Sequence, residues 1–233
     1  NFYNGRAIFV SPNGMVIGSS GVINVGSLGV YTPKSAVYND YKNNPHADIS
    51  VLKASNNNGT VSVNGKVIAT NDIDIHSGNI NINKNGGMLA GTGNTSLISS
   101  NQRAEEIFNN IVNTKNIHNA NNVSNANGNI TLTSSVGTAI EGIMNNYGKG
   151  NTTITNTGSK GVKISGTSEN HNGNYTILNK SGDLEISGTV ANRKGTMSLT
   201  NNGNKLNVTK TGIIDNSNEL KITNTGKGGM QLN

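Results

Sequence analysis

The chain has 233 residues, 30 of them Gly and about a fifth Asn, with no Cys, 32% hydrophobic and 4% aromatic content. Its formal charge of +6 comes from basic residues scattered along the text, which excludes the basic stripe and stacking platform of a nucleic-acid binder, and the missing Cys excludes disulfides and thiolate metal sites. No apolar run reaches the roughly 18 residues of a membrane-spanning helix, and the low apolar content would signal disorder if the apolar residues were not placed periodically.

Residues 1–30 alternate and turn. Ile8 and Val10 alternate, then Pro12-Asn13-Gly14 reads as a tight turn with Gly14 free to take positive φ. Met15 and Ile17 follow, then a small-residue turn over 18–21, then Ile23-Asn24-Val25-Gly26 and a last strand Leu28-Gly29-Val30. The bland reading is a set of short strands joined by Gly turns. All three prolines, Pro12, Pro33 and Pro45, lie in the first fifth of the chain, so none interrupts a later strand.

The order of these pieces resembles the haemagglutination-activity domain of filamentous-haemagglutinin-like exoproteins, also called the two-partner-secretion domain. Its NPNG tetrapeptide stands here as Ser11-Pro12-Asn13-Gly14, and its INVGGL-type strand as Ile23-Asn24-Val25-Gly26-Ser27-Leu28. Ser11 and Ser27 depart from that pattern. The resemblance implies a parallel β-helix in a large bacterial exoprotein, secreted or held at the outer-membrane surface. It implies adhesion to a receptor, protein or glycan, on host or other bacterial cells, and contact with an outer-membrane transporter during export. It leaves open whether the parent is an autotransporter or uses two-partner secretion.

Residues 31–48 break the alternation. Tyr31, Tyr38 and Tyr41 stand among Pro33, Pro45, Lys34 and Lys42, which predicts a loop leaving the helix. A tyrosine-rich loop is a candidate contact surface; the alternative is rings lying flat on the outside of the rod.

From 49 to 90 the pairs Ile49/Val51, Val61/Val63, Ile73/Ile75 and Ile80/Ile82 predict strands again. Asp72, Asp74 and His76 alternate with the two isoleucines, so they share the outward side. Two carboxylates and an imidazole on one face suit cation binding or acid–base work, but a solvated outer face is the simpler expectation. Residues 91–127 interrupt the pattern. Ala104, Ile107, Phe108 and Ile111 have the spacing of an amphipathic helix, a short insertion over about 102–113.

The region 128–233 repeats one unit. Ile154, Ile177, Leu199 and Ile222 recur at intervals of 23, 22 and 23 residues. Ile164, Ile186, Val208 and Leu232 recur at 22, 22 and 24. Asn156, Asn179, Asn201 and Asn224 follow the first series by two positions. Asn146, Asn170, Asn192 and Asn216 form a second set ahead of it. A fixed period near 22 with short strands and polar turns is a solenoid signature. Stacked about 4.8 Å apart, the inward residues make continuous ladders, and each Asn amide reaches the Asn one rung away. With so much Asn in the chain, chance alignment is the competing account of the Asn series. The text opens in mid-ladder and closes on a ladder triplet, which predicts a segment of a longer chain.

The fold class expected is therefore all-β, a right-handed parallel β-helix with rungs of about 22 residues, one loop at 31–48 and one helical insertion. The expected organisation is one continuous body over 1–233, with a haemagglutination-like segment at 1–90, an insertion at 91–127 and regular rungs at 128–233. The expected function is adhesive and structural, in a monomeric rod without cofactor, metal or catalytic site. One alternative is the stem of a contact-dependent inhibition or cytotoxic exoprotein. A polysaccharide-active enzyme fits less well, because only 12 acidic residues are present, and His46, His76, His118 and His171 have no partner evident in the text.

Overall fold

The computed structural model describes residues 2–44, 47–54, 59–91 and 128–233. Its strands are β1 (Phe2–Val10), β2 (Gly14–Ile17), β3 (Val22–Tyr31), β4 (Thr60–Val63), β5 (Lys66–Ala69), β6 (Ile73–Ile82) and β7 (Gly87–Ala90). After the insertion come β8 (Ile130–Ile140), β9 (Ile143–Asn146), β10 (Thr152–Asn156), β11 (Gly161–Ile164), β12 (Thr167–Asn170) and β13 (Tyr175–Asn179). The stack ends with β14 (Leu184–Ile186), β15 (Thr189–Asn192), β16 (Met197–Asn201), β17 (Leu206–Val208), β18 (Ile213–Asn216), β19 (Leu220–Asn224) and β20 (Met230–Leu232). Two helices, α1 (Ser35–Asn43) and α2 (Ser50–Ala54), lie between β3 and β4.

All strand pairs run parallel, and they wind around an axis as a β-helix. The pairing defines three faces. The first stacks β1, the second half of β3, the first half of β6, β8, β10, β13, β16 and β19. The second stacks β2, β4, the second half of β6, the end of β8, β11, β14, β17 and β20. The third stacks the first half of β3 with β5, β7, β9, β12, β15 and β18. At about 4.8 Å per rung, eight rungs give a column roughly 35–40 Å tall.

Alternation explains why these short segments hold strand geometry. In β10 the pattern buries Thr152, Ile154 and Asn156 and turns Thr153 and Thr155 outward. Leu132, Ile154, Ile177 and Leu199 stand in register and are fully buried. On the second face Ile82, Ile140, Ile164 and Ile186 do the same, and Val208 follows at 5% exposure. Each such side chain contributes about 1.5–3 kcal/mol by burial. The column weakens at its last rung. Ile222 is half-buried and Leu232, expected in the core, is 55% exposed. Among the described residues no strand covers β19 or β20, so their inward side chains have nothing above them.

The excursion differs from the expected loop in extent and content. Tyr31 ends β3 and is fully buried, because its ring folds back over Gly29, where a Cβ would press on the ring. The segment leaves the rod after Thr32 and is helical rather than irregular. Ile49 and Val51, expected in a strand, sit in a turn and in α2. Their alternation spans too few residues to separate a strand from a helical turn. The helix expected near 102–113, together with His46 and His118, lies outside the described residues.

Candidate binding cleft

The family-like motif builds the first corner and the strand opposite it. Gly14 N–H donates to Ser11 O at 3.2 Å, closing the Pro12-Asn13 turn between β1 and β2. Gly14 has φ +106°, and a Cβ there would overlap the Thr60 carbonyl on the next rung. Ile23, Asn24 and Val25 pair with Val67, Ile68 and Ala69 on the third face, and Gly26 is buried at the bend into the first face.

The two anticipated Asn series run as hydrogen-bonded columns inside two corners. Asn156 Nδ2 donates to Asn179 Oδ1 at 2.8 Å, Asn179 to Asn201 at 2.8 Å, and Asn201 to Asn224 at 2.7 Å. Asn156, Asn179 and Asn224 also donate to a carbonyl in their own turns, to Gly158 O at 2.7 Å, Gly182 O at 3.1 Å and Gly226 O at 3.3 Å. Asn146, Asn170, Asn192 and Asn216 link in the same way at 2.9, 3.1 and 3.3 Å. Below Asn156 the first column continues in hydroxyls, with Ser134 Oγ donating to Asn156 Oδ1 at 2.9 Å.

A third column was missed from sequence. Asn129 N–H donates to Asp72 Oδ1, Asn151 N–H to Asn129 Oδ1, Asn174 N–H to Asn151 Oδ1 and Thr196 N–H to Asn174 Oδ1, all at 2.8–3.0 Å. The signal was available: Asn129, Asn151 and Asn174 recur at the repeat interval, just before a first-face strand. Asp72 is thus a member of this corner column rather than a free carboxylate.

The outward trio Asp72, Asp74 and His76 does not form the solvated face expected of it. Asp74 is 9% exposed. Tyr31 Oη donates to its Oδ2 at 2.9 Å, and His76 Nε2 meets its Oδ1 at 2.9 Å. Lys53 Nζ from α2 forms an ion pair with Oδ2, and Arg6 stands 4.0 Å from the same oxygen. Arg6 also donates to Tyr31 Oη at 3.1 Å. Strand register explains half of this: Tyr31 pairs with His76, and Gly29 with Asp74, on adjacent rungs. The other half is tertiary, because α2 brings Lys53 over the sheet.

Burial pushes the Asp74 carboxyl up, but hydrogen bonds from His76, Lys53 and Tyr31 outweigh it and hold the group well below the usual carboxylate range. Burial first, and then the Asp74 charge, push the Tyr31 hydroxyl well above its ordinary value. A carboxylate held this firmly ionised, with both oxygens occupied, is a weak base and a strong anchor. The cluster ties the excursion to the rod.

Beside it lies a cleft of about 490 Å³ lined by Arg6, Ser27, Lys53, Asp72, Asn129 and Thr131 among others. Of the other residues singled out from sequence, Tyr38 and Tyr41 are half-buried on α1, and Tyr41 lines a separate hollow against Val51 of α2. His171 stacks on Tyr147 at 4.3 Å and faces Glu169 at 3.4 Å. Lys163 and Glu185 pair at 3.3 Å on the second face, both substantially exposed, so the pair adds at most about 1 kcal/mol.

No family model matches the chain, and no curated protein or solved structure matches it.

Proposed function

We propose that the chain is an adhesive and structural segment of a large secreted or surface-exposed bacterial exoprotein. The observation that carries this reading is the rod: a parallel β-helix whose polar groups are spent on corner columns and whose apolar groups are spent on ladders. Such a column propagates rung by rung from one end, which suits a chain that folds as it emerges outside a cell. The motif at Pro12-Asn13-Gly14 and Ile23-Asn24-Val25-Gly26 supports the same reading, because it closes the turn between β1 and β2 and sets the pairing of β3 with β5.

The test is attachment. Beads coated with the 233-residue chain should adhere to epithelial or bacterial cells above beads coated with an unrelated protein. Absence of attachment to every cell type offered defeats the adhesive reading. For the export role, secretion of a parent exoprotein carrying Gly14→Ala should fall; undiminished secretion counts against a part in export.

A further inference from the structure

The cleft beside Asp74 has a composition that the anchor alone does not require. Asp74 is fully engaged, but three groups around it are not. Arg6 commits one nitrogen to Tyr31 Oη and its side chain stays 47% exposed. Asp72 receives both Asn129 contacts on Oδ1, leaving Oδ2 without a partner among the described residues. The Thr131 hydroxyl, in register with Asp74 on the next rung, likewise has none among them. A guanidinium donor, a carboxylate acceptor and a hydroxyl that does both therefore converge on one hollow.

We propose that this cleft is a subsite for a neutral sugar unit. Arg6 and Lys53 offset Asp72 and Asp74, so the lining carries no formal net charge with His76 neutral. An anionic ligand would meet Asp72 unpaired, and a cationic one would meet Arg6. A pair of neighbouring sugar hydroxyls satisfies both walls at once, accepting from Arg6 and donating to Asp72 Oδ2. Thr131 takes a third hydroxyl. The hollow falls within the size range of small-ligand sites. Its walls are fixed before binding: Asn129 clamps Asp72 through two contacts, at 2.8 and 2.9 Å, and Tyr31 tethers Arg6. A preset site loses less side-chain freedom on binding.

This inference rests on the adhesive reading, for which it supplies the ligand class. The experiment is saturation-transfer difference NMR on the 233-residue chain. The probes are the methyl glycosides of glucose, galactose, mannose and N-acetylglucosamine, with acetate and sulfate as charged controls. At least one glycoside should show transfer, lost in Arg6→Gln and in Thr131→Val but kept in Lys163→Gln on the second face. Far-UV circular dichroism matched to the parent establishes that each variant folds. No transfer from any glycoside, transfer that survives Arg6→Gln, or displacement by acetate or sulfate overturns the sugar site. Cell attachment that persists in Arg6→Gln while no glycoside binds defeats the sugar site and leaves the adhesive reading standing. Failure of the parent chain to attach, with glycoside binding intact, defeats the adhesive reading alone.

Discussion

Asn156 and Asn179, 23 residues apart in the chain, occupy the same corner of successive rungs, and one amide donates to the other at 2.8 Å. Both are fully buried. Both side chains donate upward, accept from below and close their own turns. The column thus satisfies polar groups that a narrow rod cannot present to water.

Removing one member should therefore cost more than a surface hydrogen bond. Asn179→Ala leaves the Asn156 amide without its upper acceptor and deprives Asn201 Oδ1 of its donor. We expect a loss of about 1–3 kcal/mol, chiefly from the buried Asn201 oxygen left without a donor, since the Asn156 amide keeps Gly158 O and Ser181 O, read as a lower urea midpoint. Thr155→Ala, an outward change one position from Asn156, should cost less than about 1 kcal/mol. Equal effects from the two would contradict the column's role.

The apolar ladder makes a parallel case. Ile186 is fully buried between Ile164 and Val208. Ile186→Ala should destabilise by about 2–5 kcal/mol, because neighbours above and below hold the cavity open. Leu232→Ala removes a side chain that is 55% exposed and should shift stability by no more than about 1 kcal/mol. Chemical denaturation of both variants measures the contrast.

Gly14 is a steric requirement. Its φ of +106° and the Thr60 carbonyl over its Cα leave no room for a methyl group. Gly14→Ala should cost at least about 2 kcal/mol through strain alone. Hydrogen exchange should show the first rung, β1 with β2, opening before the rest.

Asp74 predicts an acid dependence. Its carboxyl is held below the ordinary value, so its contribution is fully present above the unfolded pKa of about 3.9. That contribution declines as pH falls from there toward the depressed folded value. Asp74→Asn should be markedly less stable than the parent at pH 7, and the gap should narrow on acidification below about pH 4. Melting curves across that range measure it; a gap independent of pH would remove the ion-pair account.

Tyr175 predicts the alkaline counterpart. Burial pushes its hydroxyl well above the ordinary value, opposed only by the 2.5 Å contact with Ser168. A raised folded pKa gives stability present below about pH 10 and lost as pH rises further. Tyr175→Phe should cost about 1 kcal/mol at neutral pH and then flatten the decline above pH 10, measured by melting in alkaline buffers.

Much of this architecture was legible in the residue order. Ile164, Ile186 and Val208 announce a period, and because each rung touches only its neighbours, a period in the text becomes a distance along the axis. The Asn columns follow from the same register. The sequence alone determined the all-β class, the length of the rung and which residues face inward. Tertiary structure decided whatever depends on contacts between rungs that do not repeat. Asp74 alternates like any outward residue, and nothing in its neighbours tells that Tyr31, 43 positions earlier, and Lys53 from a helical excursion will cover and ionise it. Periodicity encodes neighbours at a constant offset. A cleft assembled once, from Arg6, Asp72 and Thr131, has no offset to read, and its charges take their values only from the burial and partners that folding supplies.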